Sequence, residues 1–181
     1  TMLPYILMIT AFTGGLHLAI DTTAGEKERH SLEPLFITPV PRWQIMVGKM
    51  TATTLFGMLS LVLTVVSFKL TMPYLPIDQL GIDLNISLKT GSLILLIILP
   101  VAIFASSLNT LRAAFAKSYR EAQSYVGMVI LIPMIPTILF MTDPMKPETW
   151  LMPIPIFSQN LLIGELVRGE PMNLNWLGLS V

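Results

Sequence analysis

Residues 90–111, "TGSLILLIILPVAIFASSLNTL", carry no charged side chain and lie between Lys89 and Arg112. A helix rises about 1.5 Å per residue and the hydrocarbon core of a membrane is about 30 Å thick, so about 20 apolar residues are needed to cross it. Pro100 would break a helix in water, but in a membrane bundle neighbouring helices satisfy the backbone groups that a proline frees. The stretch therefore predicts a membrane-spanning helix.

Three other uncharged runs have a similar length, and they occupy residues 1–20, 50–68 and 122–142. The composition agrees, since 53% of the residues are hydrophobic and 12% are charged, whereas soluble proteins average about 25% charged residues. We predict an all-α integral membrane protein in which residues 1–181 form one polytopic transmembrane helix bundle. Glycines and prolines inside the runs predict kinks or close helix contacts; they are Gly14, Gly15, Pro100, Pro133 and Pro136.

The last part of the chain follows a different pattern. A fifth uncharged run, between Glu148 and Glu165, contains two prolines and is too short to cross a membrane comfortably. We expect an external short-helix region over residues 143–170, with a re-entrant or interfacial helix, and the start of a last span at residues 171–181. At the other end, Thr1 is followed by apolar residues without the basic segment of a signal peptide, so we expect the chain to be part of a longer protein.

The distribution of lysine and arginine predicts the orientation in the membrane. The loops before the second and fourth spans hold more basic residues than the other loops: Lys27, Arg29, Arg42, Lys49, Arg112, Lys117 and Arg120 against Lys69, Lys89, Lys146 and Arg168. Because cytoplasmic loops carry the excess of basic residues, residues 21–49 are expected in the cytoplasm and the chain in the cell (inner) membrane. The sequence contains no cysteine, which excludes disulfides and thiolate metal sites within it.

The loop over residues 21–49 combines a charged cluster with an apolar triplet. Thr23 and Glu26 have the spacing of a capping box, which predicts a short helix over residues 24–30. Ser31 is a candidate N-cap of a second short helix. The apolar triplet Leu32, Leu35 and Phe36 would lie on one face of that helix. Such a segment fits a surface that docks another protein, and it also fits an interfacial helix lying on lipid headgroups.

Residues 24–49, "AGEKERHSLEPLFITPVPRWQIMVGK", resemble the cytoplasmic motif of the ABC type-2 exporter permeases, especially of their sodium-efflux branch. The matching positions are Glu26, Glu28, Arg29, Leu32, Glu33, Leu35, Pro39, Arg42, Gly48 and Lys49. His30 departs from the motif, which more usually has glycine or asparagine there. In its order of spans and loops the chain is similar to the portion of such a permease from the second transmembrane span onward.

The resemblance implies a permease subunit of an ATP-driven exporter of sodium or drugs. This chain would form the membrane pathway without a cofactor, a catalytic residue or a nucleic-acid partner. A separate ABC ATP-binding subunit would bind ATP and magnesium, and a second permease copy or homologue would complete the complex. Coupling to the ATP-binding subunit would fall to Glu26, Glu28, Arg29, Leu32, Glu33, Leu35 and Phe36.

The sequence does not support ATP hydrolysis by this chain. A phosphate-binding loop has a glycine five positions before its Gly-Lys pair and a serine or threonine directly after it. Gly48 and Lys49 are followed by Met50, and position 43 is a tryptophan. We therefore interpret Gly48 as a helix-packing residue.

The main alternative is a polytopic membrane enzyme such as an intramembrane protease, which would also be an apolar chain with few acidic residues. Its usual adjacent glutamates are missing, since Glu26 and Glu28 are separated and lie in a predicted loop. A zinc protease is not indicated either, because neither His17 nor His30 is followed by glutamate.

His17 and Asp21 form a further candidate site at the cytoplasmic end of the first span. They lie one helical turn apart, and ionisable groups near the bilayer interior are costly and therefore often functional. An ion path is one interpretation. A boundary pair whose polar groups reach the membrane surface is the other.

Overall fold

The computed structural model describes residues 3–31, 39–71, 74, 88–142 and 156–168. The regular structure within these ranges is helical: α1 Leu3–Thr13, α2 Leu16–Ile20, a π-helical turn Asp21–Gly25, α3 Glu26–Glu28, α4 Arg42–Thr71, α5 Leu88–Phe115, α6 Tyr119–Ser124, α7 Val126–Thr142 and α8 Phe157–Arg168. Among the described residues, three helices are long and apolar enough to cross a membrane: Leu3–Glu28, Arg42–Thr71 and Lys89–Phe115. The predicted fold class, a polytopic all-α membrane protein, is confirmed.

The first membrane-length helix is interrupted between α1 and α2, at Gly14 and Gly15. Next to this break, Asn109 of α5 donates a side-chain N–H to the carbonyl oxygen of Phe12 at 2.9 Å. Asn109 is 3% exposed, so the bond lies in the interior, where hydrocarbon offers backbone groups no alternative partner. It therefore joins α5 to the first helix at the point where regular helical bonding is interrupted.

The same two glycines let the first helix lie directly against α4. A Cβ added at Gly15 would lie 2.5 Å from the carbonyl oxygen of Thr53, and one added at Gly14 would lie 2.8 Å from the Cβ of Ser60. Gly57, also buried, completes the contact surface on α4. Small residues at such a surface are typical of membrane helices, because they let two backbones approach closely and gain van der Waals contact.

Most of the apolar core is built by α1, α5 and α8, with Leu61 of α4 and Val129 of α7. Their buried side chains pack in one cluster, which includes Leu7, Met8, Phe12, Ile94, Ile97, Ile98, Leu162 and Ile163. α8 has only 12 residues and lies within the predicted short-helix region. By contrast, only 17% of the most apolar stretch of α4 is buried, against 44% of the corresponding stretch of α5. α4 therefore turns a broad apolar face away from the bundle, as a helix that borders lipid does.

Two local predictions are wrong. Thr23 does not cap a new helix, because it lies inside the π-helical turn, and Gly25 before α3 has helical dihedral angles and no side-chain cap bond. The first helix therefore continues beyond its predicted end to Glu28, since no residue between Ile20 and Glu28 interrupts it. Gly48 does not pack against the described part of the chain either: it is exposed, and no heavy atom of the described residues lies within 4 Å of the position of an added Cβ.

We expect Gly15→Ala to destabilise the protein by about 1–3 kcal/mol, because the new methyl group would overlap a backbone oxygen that cannot rotate away. The measurement is the midpoint of thermal unfolding of the protein in detergent. Gly48→Ala is the matched control and should be neutral or slightly stabilising, because an open helical position accepts a methyl group and gains helix propensity. Equal midpoints for the two variants would contradict the close contact between the first helix and α4.

Candidate functional site

The candidate site lies at the end of the bundle where the first helix, the start of α4, the end of α5 and α6 meet; we call this the charged end. Three consecutive side chains of α3, those of Glu26, Lys27 and Glu28, each bond a different one of these elements. They are brought there because the π-helical turn carries the first helix past Asp21 without a break. All three belong to the segment that resembles the exporter motif.

Glu26 ties the first helix to α4. Its carboxylate accepts a hydrogen bond from Lys49 Nζ, which also donates to the carbonyl oxygen of Thr22. The Lys49 and Glu26 side chains are only 12% and 31% exposed. Because such a pair is screened less by water and salt than a surface pair, it constrains the position of α4 more strongly than an exposed pair would.

Lys27 and Glu28 hold two neighbouring helix ends. Lys27 Nζ donates to the carbonyl oxygen of Ala116 at 3.2 Å, directly after the last residue of α5. Glu28 Oε2 accepts from the backbone N–H of Tyr119 at 2.6 Å, at the first residue of α6. The C-terminus of a helix carries partial negative charge and the N-terminus partial positive charge. Each side chain therefore has the charge that its helix end favours.

The start of α6 has further capping contacts. Ser118 Oγ accepts from the backbone N–H of Glu121 at 3.2 Å, and Glu121 Oε2 accepts from the backbone N–H of Lys117 at 2.7 Å. This closely resembles a capping box, in which a serine and a glutamate three positions later satisfy helix-terminal N–H groups. The capping box predicted at Thr23 and Glu26 is absent there, but Ser118 and Glu121 make contacts of this kind. These contacts fix the turn between α5 and α6.

A Schellman turn ends the first helix. The backbone N–H of Ser31 donates to the carbonyl oxygen of Glu26 at 3.0 Å, and that of His30 donates to Lys27 at 3.3 Å. His30 has φ 55, the left-handed conformation that glycine and asparagine adopt most easily. This explains why the motif usually has one of those residues at the position of His30. Leu32, Glu33, Leu35 and Phe36, which follow the turn, lie outside the described residues.

Arg29 and Asp21 form an exposed pair. Arg29 Nη2 lies 2.8 Å from Asp21 Oδ1, and the two side chains are 67% and 47% exposed. Asp21 therefore pairs with Arg29, while His17 lies on an exposed part of α2. Within the described ranges no three His, Cys, Asp or Glu side chains group as a metal site would require. The ion path suggested for His17 and Asp21 stays a prediction.

A cleft of about 210 Å³ opens beside these contacts and is lined by Gly25, Glu28, Arg29 and Tyr119. Gly25 forms part of its wall without a side chain; a Cβ there would lie 3.0 Å from Asp21 Oδ1. The cleft thus lies between the last turn of the first helix and the first residue of α6. Charged, aromatic and backbone groups all face it, which gives the charged end a concave surface next to the start of the undescribed segment.

The whole chain, residues 1–181, matches the family described as "ABC-2 family transporter protein". The chain belongs to the ABC-2 transporter family. It is also 30% identical over 172 residues to "ABC transporter permease protein NatB" of Bacillus subtilis (strain 168), a match that covers 93% of this chain and 44% of the relative. The chain therefore spans less than half the length of that curated relative. No solved structure matches it significantly.

Membership of the ABC-2 family confirms the resemblance found in residues 24–49. Sequence reasoning missed the partners of the motif residues within the chain: Lys49 for Glu26, the Ala116 carbonyl for Lys27 and the Tyr119 amide for Glu28. The last two contacts join residues 89 and 91 positions apart, and no local pattern reports such a pairing. The Ser118 and Glu121 spacing was visible in the sequence and would have located the start of α6.

We expect Lys49→Met to cost about 1–3 kcal/mol of stability, because it leaves the partly buried Glu26 carboxylate and the Thr22 carbonyl without this donor. Methionine keeps most of the length of the lysine side chain, so the substitution tests the ammonium group. Arg29→Gln removes the charge of an exposed pair and should cost less than about 1 kcal/mol. Thermal unfolding in detergent compares the two, and a larger loss for Arg29→Gln would contradict the difference in burial.

Proposed function

We propose that this chain is part of the permease subunit of an ATP-driven exporter and that a separate ATP-binding subunit docks at the charged end. The observation that carries the proposal is the arrangement of Glu26, Lys27 and Glu28, which connects the motif segment to three other helical elements. A force applied to that segment has direct polar routes into α4, α5 and α6. Family membership and the similarity to a permease support the same function.

The motif residues divide into two groups under this proposal. Glu26 and Glu28 bond their own chain, so we assign them to contacts within the permease and not to the docking surface. The apolar triplet Leu32, Leu35 and Phe36 is proposed as the anchor that enters a groove of the ATP-binding subunit. Buried apolar and aromatic anchors typically carry most of the binding energy of an interface. Arg29 and Glu33 are assigned to the polar rim around that anchor.

The alternative of an intramembrane protease receives less support. Such an enzyme would need an acidic residue free to activate water. Glu26 is bonded to Lys49, and Glu28 accepts from the Tyr119 amide. Both carboxylates therefore have structural partners at the end of the bundle, which favours the permease.

The complex that we propose contains two permease copies, or this permease and a homologue, with ATP-binding subunits that bind ATP and magnesium. It would lie in the cell (inner) membrane with the charged end in the cytoplasm. Sodium is the proposed cargo, because residues 24–49 resemble the sodium-efflux branch, and drugs are the alternative. Uptake of radioactive sodium into inside-out vesicles, driven by ATP, distinguishes these two cargoes from each other.

The orientation predicts which positions an external reagent reaches. With single cysteines at positions 30, 80, 118 and 146, a membrane-impermeant thiol reagent applied to intact cells should label only 80 and 146. Any cysteine outside residues 1–181 must first be replaced. Labelling at position 30 in intact cells would invert the assignment and place the charged end outside.

The docking role predicts that Leu35→Ala and Phe36→Ala each weaken binding of the ATP-binding subunit by about 2 kcal/mol, or roughly thirtyfold in Kd. The measurement is co-purification of that subunit with the full permease at several concentrations. Leu55→Ala, on the exposed face of α4, is the matched control and should bind normally. Full binding together with disturbed membrane insertion of the Leu35 and Phe36 variants would instead support a helix lying on lipid headgroups.

A further inference from the structure

We propose that Lys27 and Glu28 are positioning residues that transmit motion from the docking segment to the turn between α5 and α6, and through α6 to α7. The inference rests on the proposed function, since it presumes an ATP-binding subunit at the charged end. It differs from docking, because it assigns these two side chains to contacts within the chain. It also names the element that receives the motion, residues 116–119.

The charges of the two side chains match the polarity of the helix ends that they bond. Two adjacent residues of opposite charge bond two helix ends of opposite polarity, the carbonyl of Ala116 after α5 and the N–H of Tyr119 at the start of α6. The basic residue bonds the carbonyl and the acidic residue bonds the N–H, as the helix dipoles favour. Exchanging Lys27 and Glu28 would keep the composition and net charge but would place each charge near the wrong helix end.

The packing around these bonds is uneven. Where the first helix meets α5 and α6, it buries Leu16, Ile20 and Ala24, whereas the buried side chains of α5, the turn and α6 are alanines: Ala113, Ala116 and Ala122. Each of these alanines buries one methyl group, so the α5–α6 side offers a shallow surface to the first helix. The bonds from Lys27 and Glu28 add directional contacts between the end of the first helix and the α5–α6 turn.

The receiving turn is connected through α6 to α7, a helix of 17 residues. The capping contacts of Ser118 and Glu121 fix the start of α6. Tyr125 alone separates α6 from α7, and helical bonding runs across it: its N–H donates to Ala122, and the N–H of Val129 donates to its carbonyl, both at 3.3 Å. A displacement of Tyr119 is therefore passed to the start of α7 instead of being absorbed in a loop.

The test measures the movement of α7 in the full permease bound to its ATP-binding subunit in lipid nanodiscs. Spin labels are placed at Gly48→Cys on α4 and Gly127→Cys on α7, two exposed positions where no heavy atom of the described ranges lies within 4 Å of an added Cβ. Other cysteines are replaced, and labelled permease is diluted with unlabelled permease so that only distances within one chain are read. Magnesium-ATP trapped with vanadate should shift the distance distribution in the parent protein.

Glu28→Gln, Lys27→Gln and the exchanged pair Lys27→Glu with Glu28→Lys should each bind the ATP-binding subunit normally but respond less to ATP. Residues along a coupling route change the equilibrium between states by about two- to thirtyfold, and the exchanged pair should show the largest effect. Lys117→Gln removes an exposed charge from the same turn and should respond as the parent does. Glu28→Gln and Lys27→Gln are independent, so failure of one to fold leaves the other as a test.

The outcomes separate this inference from the proposed function. Normal binding with a reduced ATP response in the Lys27 and Glu28 variants supports it. Normal binding with a parental response in all of them overturns it. Loss of binding in the Glu28 variant also overturns it, because Glu28 would then belong to the docking surface. If the parent binds no ATP-binding subunit, the proposed function itself fails and the inference falls with it.

Discussion

Inside a membrane, every backbone N–H and C=O must find its partner within the protein, because hydrocarbon offers none. The break between α1 and α2 follows this constraint, because the buried amide of Asn109 bonds the Phe12 carbonyl there. At the charged end, Lys27, Glu28 and the Ser118 cap bond backbone groups of helix termini. Two polar side chains of the segment 24–49 thus also complete helix ends.

This constraint also explains how charge and apolar surface are divided. Contacts of α4 with the first helix rely on small residues, Gly14 and Gly15 against Thr53 and Ser60. Most of α4 faces away from the bundle, so apolar packing holds it on one narrow side. The bond from Lys49 to Glu26 adds a directional contact at its start. α4 is therefore positioned by its close contact with the first helix, by its packing on α5, to which Thr54 donates a hydrogen bond at Ser106 Oγ, and by the Lys49 contact at its start.

Much of the fold could be predicted because the membrane imposes a length on uncharged runs. The runs over residues 1–20, 50–68 and 90–111 each coincide with a described helix that is long enough to cross. The bounds of the helices were less predictable, because a helix continues as far as its backbone groups are satisfied. The π-helical turn at Asp21–Gly25 extends the first helix to Glu28. Gly48 shows the same limit: only a neighbouring helix determines whether a glycine packs, and none of the described helices lies against Gly48.

The sequence shows which residue types the segment 24–49 holds, but it does not show which partners they bond. Glu26, Glu28 and Arg29 were assigned together to docking, yet their environments differ: Glu26 is partly buried against Lys49, Glu28 bonds a helix N-terminus, and Arg29 lies in an exposed pair. The partners of Glu26 and Glu28 lie 23 and 91 positions away along the chain, and such distant pairs leave no periodic signal in the sequence.

His30 illustrates the converse, because its departure from the motif acquires a reason only once its left-handed backbone is known. A histidine pays more than glycine to adopt that conformation. The Schellman bonds of Ser31 and His30 must therefore offset this cost to end the helix there. The end of the first helix at Ser31 is thus set by backbone bonding, directly after the α3 turn that bonds α4, α5 and α6, and the segment proposed to dock begins after this point.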